Sequence, residues 1–319
     1  MSAKASKRFS FFLFITIILT YLVILAGAVV RTTQSGMGCP DWPKCFGRWI
    51  PPTEVSQLPA NYQQVYAHRG YADTTFNAYH TWVEYVNRLL GALLGLVIFI
   101  TLLFSLPYWN TNRAVFWLTF TSFILIGFQG WLGSLVVASN LAPVKITVHM
   151  FTALLLLALL IFIYSIIDED KKEKLSFDFS SLKIWMYVAL ALTMIQILLG
   201  TQVRQQVDAI AKELAFTQRE IWVDKLNLLF NFHRSFSILV LLTNTWILFK
   251  AVKLSTNNET IKFISYGIAL LIIAEIVLGI ILSYFAFPSA AQPLHLLFAS
   301  LLFGVQFRFL MLMKKHQNG

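Results

Sequence analysis

Runs of about twenty or more mostly apolar residues recur along the chain, each long enough to cross a hydrocarbon core of roughly 30 Å as a helix. They predict eight membrane spans, at 9–30, 79–104, 114–137, 146–167, 183–203, 224–249, 263–285 and 292–312. The first run, Phe9 to Val30, follows the basic start "KASKR". It is too long for a signal-peptide core and reads as a retained span, and the polar leader before it is shorter than a transit peptide. The short polar connections then set the orientation. "KASKR", "DEDKKEK" at 168–174, Lys250, Lys253, Lys262 and "KK" at 314–315 all fall on one side, which the positive-inside rule makes cytoplasmic. Both termini are expected inside, and the two longer loops, 31–78 and 204–223, outside.

Composition agrees with this pattern. The 319 residues are 57% hydrophobic and 13% charged, with mean hydropathy +0.68, whereas soluble domains carry about 25% charged residues. The formal charge of +10 does not point to nucleic acid, because the basic excess sits in short loops between spans.

An internal repeat organises the spans. Gln129 precedes His149 by 20 residues, and Glu275 precedes His295 by 20. "GFQGWLGSLVV" matches "IAEIVLGIILS", and "ITVHMFTALLL" matches "QPLHLLFASLL". "YVNRLLGALLGL" against "NFHRSFSILVLL" sets Asn87 over His233 and Arg88 over Arg234. The expected fold is an all-α polytopic membrane protein of eight helices, arranged as two tandem four-helix bundles related by a pseudo-two-fold axis along the membrane normal. An N-terminal half, 1–167, joins a C-terminal half, 183–319, through a cytoplasmic linker, 168–182.

The repeat makes the histidines informative. His149 and His295 lie near the outer starts of their spans, and Asn87 and His233 about two turns into theirs, so all four share a depth in the outer half of the membrane. Two imidazoles opposed across a four-helix bundle suit axial ligation of a haem iron. The alternative for any single membrane histidine is a hydrogen bond to a neighbouring helix. A zinc site is disfavoured, since no Cys/His/carboxylate cluster has the short spacing it needs. "CPDWPKC" lacks the "CxxCH" of covalent haem attachment. "GALLG" at 91–95 reads as tertiary helix packing, and Trp42, Trp49, Trp82 and Trp222 as an interfacial belt.

Taken together, "GAVVRTTQSGMGCPDWPKC", the "EYxxR" element of the second span, "FHR" in the sixth and the histidines opening the fourth and eighth resemble the haem A synthase family of cytochrome oxidase biogenesis, over essentially the whole chain. The resemblance implies a membrane oxidoreductase of the bacterial cytoplasmic membrane. It would convert haem O to haem A by oxidising a porphyrin methyl group to a formyl through hydroxylated intermediates. It implies a resident haem b in the C-terminal half, ligated by His233 and His295, and the substrate haem in the N-terminal half, facing His149. It also implies a neighbouring haem O synthase, a farnesyltransferase, as the source of substrate, and an electron acceptor that the sequence does not name.

The chain departs from the family where many members carry a histidine and it has Asn87. Either Asn87 leaves one face of the substrate iron open, or His80, two turns up the same helical face, reaches in. Glu84 shares the face of Asn87, where a carboxylate would serve as electrostatic stabiliser or general base, as the resemblance also implies. The competing reading pairs Glu84 with Arg88 at i, i+4. Arg31 and Arg88 are candidates for gripping haem propionates, with snorkelling to the interface as the alternative. Arg234 repeats Arg88 beside the resident haem. Cys39 and Cys45 lie in the outer loop, where a structural disulfide is expected; a redox-active pair is the other reading. Gln129 and Glu275 would either orient an imidazole or bond a neighbouring helix. The function class that competes with the enzyme is a non-catalytic membrane cytochrome b or haem carrier. The presence of Glu84 and Asn87 in one half only favours the enzyme.

Overall fold

The computed structural model describes residues 3–72, 74–168, 180–254 and 258–314. Among the described residues eight helices are long and apolar enough to cross a membrane. We label them α1 (Ala3–Thr32), α2 (Ala78–Ser105), α3 (Arg113–Ala138), α4 (Pro143–Ile167), α5 (Ser180–Glu213), α6 (Leu228–Leu254), α7 (Glu259–Tyr284) and α8 (Ala291–Lys314). No strand forms among the described residues, only an isolated bridge between Cys45 and Arg48. The linker at 169–179 and residue 315, on which part of the expected orientation rests, lie outside the described residues.

Helix starts follow local chemistry. Asn77 Oδ1 accepts from the backbone of Tyr79 (2.9 Å) and His80 at the start of α2, and Asn258 Oδ1 accepts from Ile261 N (3.0 Å) at the start of α7. Each satisfies N–H groups that have no partner within the helix.

One boundary differs from expectation. Helix α5 runs ten residues past the predicted span end at 203, into the stretch read as an outer loop. The extension is polar but amphipathic: Val207, Ile210 and Ala211 share a face and pack with Trp222 and Phe287, while Arg204 pairs with Asp208 at 2.8 Å on another. Hydropathy averaging misses a helix that leaves the apolar layer and is held by its own small core.

The chain divides into two compact units, residues 1–160 and 161–319. In the first, α1 packs on α2 and α2 on α3, and a Gln129–Thr152 hydrogen bond ties α3 to α4. Thr16 and Thr101 share a hydrogen bond of 3.0 Å between α1 and α2, and both are fully buried. In the second, α5 packs on α6, α6 on α7, α7 on α8 and α8 back on α5, a closed ring that puts α6 and α8 on a diagonal. Buried Leu182, Met186, Ile247, Ile268, Leu302 and Phe309 fill this ring. Between helices in lipid there is little hydrophobic driving force, so close packing and hydrogen bonds such as Thr16–Thr101 carry association.

The repeat is also written in the backbone. Asn140 and Leu141, between α3 and α4, both take positive φ (52° and 64°), as do Ala286 and Phe287 between α7 and α8 (55° and 51°). Each pair lies 146 residues apart, the same offset that relates Asn87 to His233 and His149 to His295. Two successive left-handed residues that are not glycine are costly, and both turns adopt them at the same place.

Candidate functional site

In the second unit the depth of the histidines is set by a hydrogen bond below them. Gln306 Nε2 donates to Asn244 Oδ1 at 2.8 Å across the ring from α8 to α6, and both residues are buried. His233 and His295 each lie eleven residues nearer the loop ends of those two helices, about 16 Å along the axis at 1.5 Å per residue. The two rings therefore occupy the same level of the ring of helices. His233 packs on Gly200 of α5, where an added Cβ would stand 3.2 Å from its Cε1. Gln196 Nε2 donates to the His233 carbonyl at 3.1 Å, while His233 Nδ1 is buried without a hydrogen-bond partner. Behind His295, Glu275 Oε2 lies 3.1 Å from Nδ1. Arg234 is exposed, its guanidinium 5.8 Å from the Phe230 ring, and Arg204 hydrogen-bonds Gln292.

In the first unit the repeat-related positions are Asn87 and His149. Asn87 Oδ1 is buried without a partner. His149 lies against Gly133, whose added Cβ would stand 3.7 Å from its Cε1, and against the buried Gln129. His80 is not turned toward Asn87: its Nδ1 meets Ser35 Oγ at 3.3 Å, tying it to the end of the α1 connection. Arg31 sits half-buried in the last turn of α1.

Above this level a lip is folded onto α2. Cys39 and Cys45 form a disulfide, and both are fully buried. Asp41, between them, accepts from Phe46 N (2.6 Å) and Gly47 N (2.7 Å), which closes the loop. Gly38 lies so close to α2 that a Cβ would meet the His80 carbonyl at 2.3 Å, a contact only glycine permits. Thr81 Oγ1 donates to the Gly38 carbonyl at 2.9 Å, and the Tyr71 hydroxyl donates to the Met37 carbonyl. Burial, with the Glu84 and Asp41 carboxylates nearby, pushes the Tyr71 phenol above its ordinary range and keeps it a donor. Phe46 anchors the outer side, with the rings of Tyr62, Tyr66, Tyr71 and Phe76 edge-on around it.

Glu84 and Arg88 bind this lip to the helix. Glu84 is 3% exposed; its Oε2 accepts from Cys39 N at 2.8 Å and its Oε1 from Arg88 Nη2 at 2.5 Å and Nε at 3.1 Å. Arg88 also donates to the carbonyls of Asp41 (2.8 Å), Lys44 (3.0 Å) and Cys39 (3.2 Å). All five of its N–H groups are engaged within the chain, which leaves none for a propionate, the role its position suggested. Arginine offers a planar fork, and here the fork is filled by one carboxylate and three loop carbonyls. The i, i+4 pairing is thus formed. The lip's contribution escaped sequence reading, Asp41 included; the signal that could have found Asp41 is its place in a short Pro-containing loop.

The residues of the second unit suit a haem. Two imidazoles at one level, a glycine that makes room for one ring and a carboxylate behind the other form a neutral donor pair for an iron that brings its own four nitrogens. Among the described residues no group of three or more His, Cys, Asp or Glu converges as a self-sufficient metal site would require.

Fold and site together define an eight-helix membrane protein of two histidine-bearing units, one of them covered by a disulfide-tied lip. The chain belongs to the cytochrome oxidase assembly protein family COX15-CtaA, which it matches over residues 10–307. It is similar to the protein named Heme A synthase of Shewanella oneidensis, at 33% identity over 150 residues, covering 47% of this chain and 43% of that one. It is also similar to proteins of the same name from Wolbachia sp. subsp. Brugia malayi (25% identity, 99% of each chain) and Wolbachia pipientis wMel (25% identity, 97% of this chain and 94% of that one).

Proposed function

We propose that this protein is a haem A synthase, oxidising a methyl group of haem O to the formyl of haem A through hydroxylated intermediates. The observation that carries the reading is the asymmetry between repeat-related positions. The second unit has His233, His295 and Glu275 where the first has Asn87, His149 and Gln129, and the buried Glu84 corresponds to Phe230. A protein that merely relayed electrons or carried haem would have no evident use for an acid at the Glu84 position of the first unit, where the second has Phe230.

His233 and His295 hold a resident haem b, with Gly200 making room for the His233 ring. When bound, this haem supplies a one-electron relay. In the first unit His149 faces the iron of the substrate haem, and Asn87 presents an amide, a poor iron ligand, on the other side. Glu84, one turn above Asn87, is the catalytic group, stabilising positive charge or accepting a proton as the methyl group is oxidised. Arg88 and the Cys39 N–H hold its carboxylate in place, so Arg88 serves the lip and the acid rather than a propionate. Arg31 is the propionate partner in the first unit, and Arg234 lies beside the resident haem in the second. Haem O arrives from a membrane farnesyltransferase, and the chain works in the bacterial cytoplasmic membrane with both termini inside, as its charge distribution suggests.

The test is co-expression with a source of haem O, followed by extraction and mass analysis of the pigments. Hydroxylated and formyl haem are expected from the natural chain. Glu84→Gln is expected to yield neither while retaining bound haem. Haems B and O alone from the natural chain would make it a carrier, and turnover by Glu84→Gln would remove the catalytic role of Glu84.

A further inference from the structure

Behind each of the two repeat-related histidines stands a polar side chain from the preceding helix, and the two differ in one group. In the second unit it is the carboxylate of Glu275, with Oε2 3.1 Å from His295 Nδ1. In the first unit it is the carboxamide of Gln129, 7% exposed. The amide orientation that suits its neighbours has the nitrogen donating to His149 Nδ1 at 3.0 Å, and the oxygen accepting from Ala153 N at 3.0 Å and from Thr152 Oγ1. The two arrangements set a polar side chain against the corresponding ring and differ in acid against amide; the first has a further bond to Thr152, whose repeat partner is Phe298.

The difference has chemical consequences. An ionised carboxylate can only accept, so Glu275, 3.1 Å from His295 Nδ1, favours the tautomer with the hydrogen on that nitrogen and the Nε2 lone pair free for iron. A carboxamide is neutral and can present either its nitrogen or its oxygen. With nitrogen presented, His149 Nδ1 is the acceptor and Nε2 carries the hydrogen; with oxygen presented, the ring becomes a ligand. We propose that Glu275 and Gln129 are positioning residues that make the haem of the second unit permanent and that of the first exchangeable, as a substrate must be. This rests on the reading that both units bind haem.

The experiment uses the purified full chain with its co-purifying pigments, and the variants Glu275→Gln and Gln129→Glu. Three readouts apply: the low-spin absorption signature, the midpoint potential of the resident haem, and the rate of haem transfer to excess apomyoglobin. Glu275→Gln is expected to keep the low-spin signature, to raise the midpoint potential and to transfer its haem about tenfold faster or more, the usual scale for loss of such a partner. Gln129→Glu is expected to hold the haem of the first unit through purification and to slow its transfer by a similar factor. A side chain that only braced helices would leave the potential unmoved. Unchanged transfer from Gln129→Glu overturns the proposal whether or not Glu275→Gln folds, and an unmoved potential in a folded Glu275→Gln overturns it as well. Absence of a low-spin haem from the natural chain would instead defeat the underlying reading of haem binding.

Discussion

Replacing Arg88 with methionine removes a side chain whose five donors all work inside the chain, yet leaves its volume and most of its stem. The pair it breaks is well shielded, with side-chain exposures of 13% for Arg88 and 4% for Glu84. Removing one partner of such a pair costs about 3–5 kcal/mol, because the remaining charge is stranded. Loss of donors to the carbonyls of Cys39, Asp41 and Lys44 adds about 1 kcal/mol each where water does not replace them, so Arg88→Met should lose about 4–6 kcal/mol. Glu84→Gln keeps an acceptor for Arg88 and should lose about 1–2 kcal/mol. In the double variant no charge is stranded, and the loss should fall to about 3 kcal/mol, a coupling of about 2–5 kcal/mol. Equilibrium unfolding in mixed micelles, followed by the fluorescence of Trp42 and Trp49 in the lip, would measure all three. Losses that add to within about 0.5 kcal/mol would mean the two residues act independently, and the account of the lip as clamped by this pair would be wrong.

Three further outcomes are expected. Gly200→Ala should force the His233 ring aside, since the new Cβ would stand 3.2 Å from Cε1, whereas Gly27→Ala has nothing within 4 Å; the absorption of the resident haem should fall or shift in the first and persist in the second. Replacing Cys39 and Cys45 together by serine should destabilise the lip by about 2 kcal/mol through loop-closure entropy, read as faster proteolytic nicking of residues 33–77. Asn87→His should give the first unit the histidine pair of the second; a second low-spin haem signal with loss of turnover is expected, and full turnover would refute the role given to Asn87.

Much of the molecule was legible from residues alone. Seven of the eight helices end within a few residues of their hydropathy limits or at a local cap, because lipid demands an unbroken helix of a given length. The pairing of Glu84 with Arg88 follows from helical spacing, and the constant offset from Asn87 to His233 and from Gln129 to Glu275 brought out the chemistry that separates the halves. These features are local or periodic, so a one-dimensional pattern carries them. The far side of Arg88 was not legible, nor the contact of Gly38 with the His80 carbonyl, nor the level at which Asn244 and Gln306 set the two histidines. Each joins groups more than forty residues apart, by a hydrogen bond or a close approach that no period encodes. The amphipathic end of α5 was hidden for the same reason, since Trp222 and Phe287, which cover it, come from other parts of the chain. Sequence determined which segments enter the membrane and which groups recur; only packing decided that Arg88 spends its donors on the lip, because five fixed N–H vectors are satisfied where acceptors converge in space.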